Sequence, residues 1–299
     1  VPQSHVLPKK LLPATLSRQD LENNSKRSND ALRYMARSCG DSELDQKLWD
    51  KTLLETERGW MRGPLNWEEL GCGATLSRRF PLEQSGKVRP IDDLSQSQID
   101  STVTCYEQAT VDGPDVISAF CTFLMRCLAG HGRATKLGGR SLDLASAYRQ
   151  LAVSDDSACH AFLSVYDPHQ QSAALFQQVA LPFGSRTAVN AFIRCARFLQ
   201  WVVARCFKLP LSCYFDDFVS FACPELARNT QSTLCLMLDI LGWSFDREGP
   251  KSDDFSDVVS ALGVQFHLGD TCEGVLNICN TGKGYVKPWP SWMRSCQRA

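Results

Sequence analysis

Two aspartates stand side by side at Asp216-Asp217, between the apolar runs Leu211-Ser212-Cys213 and Phe218-Val219-Ser220-Phe221. The pattern predicts a tight hairpin with the Asp pair at its tip. Adjacent carboxylates with no cation between them repel and raise each other's pKa. A divalent ion removes that repulsion. A third acid, Asp143, interrupts a short apolar stretch, Ser141-Leu142-Asp143-Leu144. Alone, Asp143 reads equally as a cap on the following turn, and Asp216-Asp217 as turn residues. Two features favour the chemical reading. Two-residue hairpins prefer Gly or Asn where φ is positive, which an Asp-Asp pair does not supply. The flanking aromatics Tyr214, Phe215, Phe218 and Phe221 make charge at the tip costly unless it is used. Carboxylate oxygens suit magnesium, which takes one or two of them together with substrate phosphates. Two such ions can activate a hydroxyl and stabilise a leaving pyrophosphate.

The elements that must position these acids are readable in outline. Apolar spacing predicts a helix over 42–58 and a longer one over 185–207, with Ala188, Phe192, Ala196, Leu199, Val203 and Cys206 recurring at helical spacing. Residues 74–94 read as strand, turn, strand. Asp112-Gly113-Pro114 opens a helix with Asp112 near its cap, and Pro224 starts another that runs to Gly242. Gly63-Pro64 and Gly71-Cys72-Gly73 read as turns. Residues 135–144, 243–245 and 258–268 read as strands. The order matches a split βαβ layer with helices on one face. The polar residues 1–30, with Asn23-Asn24-Ser25-Lys26, read as a loose arm.

Composition narrows the class. The chain has 299 residues, a formal charge of −1, 14 cysteines and five histidines. No cysteines form a CxxC pair, so neither a zinc site nor a disulfide framework is expected. Reduced thiols point to a cytoplasmic or nuclear protein. No apolar run approaches a membrane span, so no membrane partner is expected. The start at Val1 points to a fragment.

The residues Leu142-Asp143-Leu144-x-x-Ala147-Tyr148-x-Gln150, Leu181-Pro182-Phe183-Gly184, Tyr214-x-Asp216-Asp217 and Leu262-Gly263 occur in the order of reverse transcriptase palm motifs. Lys87-Val88-Arg89-Pro90-Ile91-x-Asp93 resembles the fingers motif upstream of them. Each block is weak alone; five in order over residues 60–268 resemble the reverse transcriptases of retrotransposons.

The resemblance implies an α+β polymerase right hand: a ferredoxin-like palm with interleaved fingers and a thumb largely missing. It divides the chain into an arm (1–40), an N-terminal extension with fingers (41–113), a first part of the palm (114–150), a second part of the fingers (151–182), a second part of the palm (183–268) and a C-terminal segment (269–299). Asp143, Asp216 and Asp217 would be catalytic and would hold two magnesium ions, with manganese as a substitute. Lys87 and Arg89 would meet the triphosphate, Arg89 through its planar fork. Leu144, Phe183 and Gly184 would line the nucleotide pocket. Tyr148 would lie under the sugar and exclude a 2′-hydroxyl. Lys251 would protonate the leaving pyrophosphate. The partners implied are an RNA or DNA template with its primer, deoxynucleoside triphosphates and further domains of a polyprotein. One departure is Ala188-Val189, where many relatives have Ala-Pro. Two other readings stay open: an RNA-dependent RNA polymerase, and a decayed element that binds nucleic acid without catalysis.

Overall fold

A computed structural model of the chain describes residues 13–84, 86–104, 110–247 and 254–281. In chain order the first elements are α1 (Arg18–Met35), α2 (Ser42–Glu57), β1 (Met61–Leu65), β2 (Leu76–Gln84) and β3 (Lys87–Asp93). Then come α3 (Pro114–Gly130), β4 (Gly138–Asp143), α4 (Asp155–Ala158), β5 (Phe162–Asp167) and β6 (Ser172–Gln178). The remainder is α5 (Arg186–Val202), β7 (Leu211–Tyr214), β8 (Asp217–Ala222), α6 (Pro224–Ile240), β9 (Val258–Ala261), β10 (Val264–His267) and β11 (Asn277–Asn280). The protein is α+β. Its contacts divide it into two compact units: residues 1–109 with 148–192, and residues 110–147 with 193–299.

The first unit is built on a five-stranded sheet in the order β1-β6-β5-β2-β3. Only the β2–β5 pair is parallel. Both faces of its centre are apolar. Leu163 and Val165 of β5 and Phe176 of β6 pack with Leu48 and Trp49 of α2. Phe162, Leu175 and Leu76 point the other way and pack with Leu32 of α1. Alternation along a strand places one helix on each face.

The expected loose arm therefore needs correction. Helix α1 starts at a Ser17 cap that accepts the Asp20 N–H, and it buries Leu21, Ser25, Asn29 and Leu32. These positions share one helical face, but two of the four are polar. Asn29 donates to the Ala74 carbonyl at 2.7 Å and accepts the Leu76 N–H at 2.9 Å, so it satisfies the end of β2. Gly63-Pro64 also differs from its reading as a turn. It lies within β1, an edge strand whose pairing with β6 is irregular between Arg62 and Leu65. Such a place spares proline a ladder bond.

The second unit has two three-stranded sheets, β4-β8-β7 and β11-β10-β9. In the first, β8 lies between β4 and β7 and is antiparallel to both. Helix α5 precedes β7 in the sequence, and α6 follows β8. On the outer side of β4, single bridges join Leu144 to Phe245 and Gly139 to Ser256. The run 243–245, expected as a strand, is reduced to such a bridge. Leu142, Leu199, Leu211, Phe218, Leu234 and Leu238 line one small apolar interior space, which puts α5 and α6 against this sheet. Phe221 and Val219 of β8 join Ile117 and Cys121 of α3 and Val259, Val264 and Phe266 of β9 and β10 in one core. Among the described residues no helix is long and apolar enough to cross a membrane.

Candidate active site

In the second unit, β4 and β8 pair from Gly138↔Ala222 to Asp143↔Asp217. The register sets Asp143 directly opposite Asp217 at the end of the sheet. Opposed residues in an antiparallel pair have their Cβ atoms about 4.5–5.5 Å apart, and like charges there are destabilising. The next link in the ladder is the Leu144 N–H, which donates to the Asp216 carbonyl at 3.3 Å. The Asp143 carbonyl accepts the Asp246 N–H at 3.0 Å. The backbone thus gathers Asp143, Asp216 and Asp217 at one strand end, all three partly buried.

The tip of the hairpin differs from the expectation. Tyr214 pairs with Asp217, so the two turn residues are Phe215 and Asp216, not the Asp pair. Phe215 carries the positive φ, 52°, that a glycine would adopt freely. A bulky residue there costs on the order of 1–3 kcal/mol and persists only where its surroundings hold it. Those surroundings are identifiable. The Cys213 thiol donates to the Phe215 carbonyl at 3.6 Å. Burial pushes that thiol up to about 12, with Asp112 and Asp216 adding to the shift, so the proton it donates is retained near neutral pH.

Asp112 holds the outer edge of β7. Its carboxylate accepts the Cys213 N–H at 3.0 Å, Gln200 Nε2 at 2.6 Å and an Arg197 N–H at 2.7 Å. Its own N–H donates to the Cys213 carbonyl at 3.0 Å. Asp112 stands next to the helix cap, as expected; the cap itself is Gly113. Asp112, Arg197 and Gln200 were not legible as parts of the site, because their contacts with β7 span long stretches of sequence.

In the first unit, Tyr148 is buried between two rings. Phe183 and Phe192 each lie 4.7 Å from it, centroid to centroid, Phe192 in a stacked arrangement. Phe183 remains 48% exposed, so one edge of the cluster is open to solvent. Gly184, at φ 99°, passes so close to β3 that a Cβ would lie 3.1 Å from the Asp92 carbonyl. Asp92 is itself fixed. It binds Arg79 through both oxygens, at 2.6 and 3.1 Å, and accepts Gln178 Nε2 at 2.7 Å. Glu55 joins Arg79 to Arg149, each at 2.9 Å. Burial works against the Arg79 charge, but Asp92 and then Glu55 outweigh it and raise its pKa. Two cations and two anions so form a largely buried network beneath the Phe183-Gly184 turn.

Lys87 and Arg89 lie on the edge strand β3, on one face and exposed. Val88 and Asp92 face the other way, and the Lys51 ammonium donates to the Val88 carbonyl. Leu144 is 2% exposed, so it fills the core beside Asp143 and lines no open surface. Lys251 lies outside the described residues.

Magnesium fits this donor set in a limited way. Among the described residues no three His, Cys, Asp or Glu side chains converge as a shell. An opposed carboxylate pair suits an ion that takes one or two carboxylates and completes its shell with water and phosphate. Neither a scan against models of protein families nor a search of curated proteins finds a match to this chain.

Proposed function

We propose that the chain is the palm and fingers portion of an RNA-directed DNA polymerase. One observation carries the reading: Asp143 stands opposite Asp217 across a strand pair, beside a strained turn that holds Asp216. The sheet order β4-β8-β7, with helices after β4 and after β8 and bridges on the far edge of β4, supports a split βαβ palm. In this reading Asp143 and Asp216 are the principal ligands of magnesium, and Asp217 is the second carboxylate of the hairpin. Bound magnesium would supply the positive charge that activates a primer 3′-hydroxyl and stabilises the departing pyrophosphate. Lys87 and Arg89 take the triphosphate of the incoming nucleotide. Tyr148, clamped by Phe183 and Phe192, selects a deoxyribose. That aromatic residue favours a DNA product over the RNA product of an RNA-dependent RNA polymerase.

The test is primer extension on RNA and DNA templates with magnesium, and with chelator in its place. Asp143→Asn and Asp216→Asn should each lower synthesis at least about a hundred-fold, since charge stabilisation of this kind is worth several kcal/mol. Extension that survives both substitutions would end the polymerase reading. A wild-type chain that binds primer-template but never extends it would favour the non-catalytic element.

A further inference from the structure

Helix α5 has an outward face that the polymerase reading does not use. Within the second unit, Ala196, Leu199 and Val203 turn inward and are at most 1% exposed. Arg194, Phe198, Trp201 and Arg205 recur at spacings of four, three and four on the other side, all exposed. Phe198 is 56% and Trp201 55% exposed, a large apolar area to leave in water. Their rings lie nearly parallel, 16° apart, with centroids at 6.3 Å. The helix then widens into a π-helical turn, Val203–Phe207, which exposes Arg205 and leads to exposed Lys208. From Arg194 to Arg205 the strip runs about 16 Å along the axis.

Charge says what covers it. The chain is nearly neutral, with a formal charge of −1, yet residues 168–215 contain four Arg, one Lys and no Asp or Glu. Arg197 is paired with Asp112, and Arg186 binds the Asp100 carbonyl. Arg205 and Lys208 project from the exposed π-helical end. Flat rings that lead to exposed cations, with no acid in the segment, match the two needs of a single-stranded nucleic acid: a stacking platform and phosphate contacts. A protein partner would use the rings but has no need of an acid-free segment.

We infer that this face of α5 binds single-stranded nucleic acid by stacking bases on Phe198 and Trp201, with Arg205 and Lys208 on the phosphates. The inference does not rest on polymerase activity. The experiment uses the full chain in chelator, with short fluorescein-labelled oligothymidylate and oligouridylate followed by anisotropy, and a blunt duplex as control. Phe198→Ala/Trp201→Ala should weaken both single strands at least about ten-fold, with the duplex little changed, because each stacked base is worth about 1–3 kcal/mol. Arg205→Ala/Lys208→Ala should lower the slope of log affinity against log salt by about 1.4, at about 0.7 per phosphate contact. Both oligomers should weaken together, since stacking on an aromatic ring tolerates any base. Circular dichroism checks the fold, and the salt slope stands as a second measure if the aromatic variant is impaired. Unchanged single-strand affinity in the folded aromatic variant overturns the proposal. So does a change in sedimentation with affinity intact, which would assign the face to a protein contact.

Discussion

At the scale of single residues, key side chains of each unit are held in one orientation by unlike means. Asp143 and Asp217 are aligned by strand register. Phe215 is held by a buried thiol, and Tyr148 by two phenyl rings. The opposed carboxylates make a binding prediction independent of catalysis. Magnesium should raise the thermal midpoint of the wild type, by about 1.4 kcal/mol in stability when it stands at about ten times its Kd. Asp217→Asn should blunt that response. A midpoint indifferent to magnesium in both would remove the metal from the account. Tyr148 makes the sugar prediction. If its ring lies under C2′, Tyr148→Ala should raise ribonucleotide use relative to deoxynucleotide use by about a hundred-fold or more, since steric discrimination is worth several kcal/mol. Tyr148→Phe keeps the ring and should keep the selectivity. Incorporation of both sugars by the three proteins measures it, and an unchanged ratio in Tyr148→Ala would make the residue core packing alone.

At the scale of elements, legibility followed the polarity of the buried face. Helix α5 was readable because its buried positions are Ala, Phe, Ala, Leu and Val at helical spacing, although Cys206, read into the same series, is exposed in the π-helical turn that follows. The β2–β3 pair was readable from a glycine turn between two strand-like runs. Helix α1 was not, because Ser25 and Asn29 sit on its buried face and make the segment look solvated. Strand β5 escaped for the opposite reason: it is buried on both faces, so it shows no period-two alternation. The three aspartates were legible as a cluster, as were the strand and hairpin that carry them; the register that sets Asp143 opposite Asp217 was not. The position of the turn, one residue earlier than expected, follows from the Tyr214↔Asp217 pairing and cannot be read from residue types. Asn29 tests the helix that sequence missed. Asn29→Ala removes a donor from the Ala74 carbonyl and an acceptor from the Leu76 N–H, both buried. Leaving the two groups unsatisfied should cost about 2–4 kcal/mol in urea denaturation. A loss below about 0.5 kcal/mol, as for an ordinary surface site, would return residues 18–35 to the status of a loose arm.

At the scale of the whole molecule, the chain is interleaved. It passes from one unit to the other after Ala109, Ala147 and Phe192, so each unit is assembled from two separate stretches. The acids of the second unit depend on this: β4 precedes the excursion through 148–192, and its partner β8 follows it. No single cut separates the two units, and a cut at either crossing after Ala147 or Phe192 parts Asp143 from Asp217. Each unit nevertheless has its own buried cluster, Leu48, Trp49 and Phe176 in one and Phe221, Val259 and Phe266 in the other. Gly139 probes the second. A methyl group there would lie 3.0 Å from Phe221 and 2.9 Å from Leu268, and closer still to Val259. Overpacking of this kind should cost about 1–3 kcal/mol. Asn29→Ala and Gly139→Ala share no packing partner, since the first affects Ala74 and Leu76 and the second Phe221, Val259 and Leu268. Their costs in the double variant should therefore add to within about 0.5 kcal/mol. The measurement is a four-point urea cycle at constant m-value. An interaction energy above about 1 kcal/mol would show that the two substitutions are coupled and would sink the expectation of independent cores.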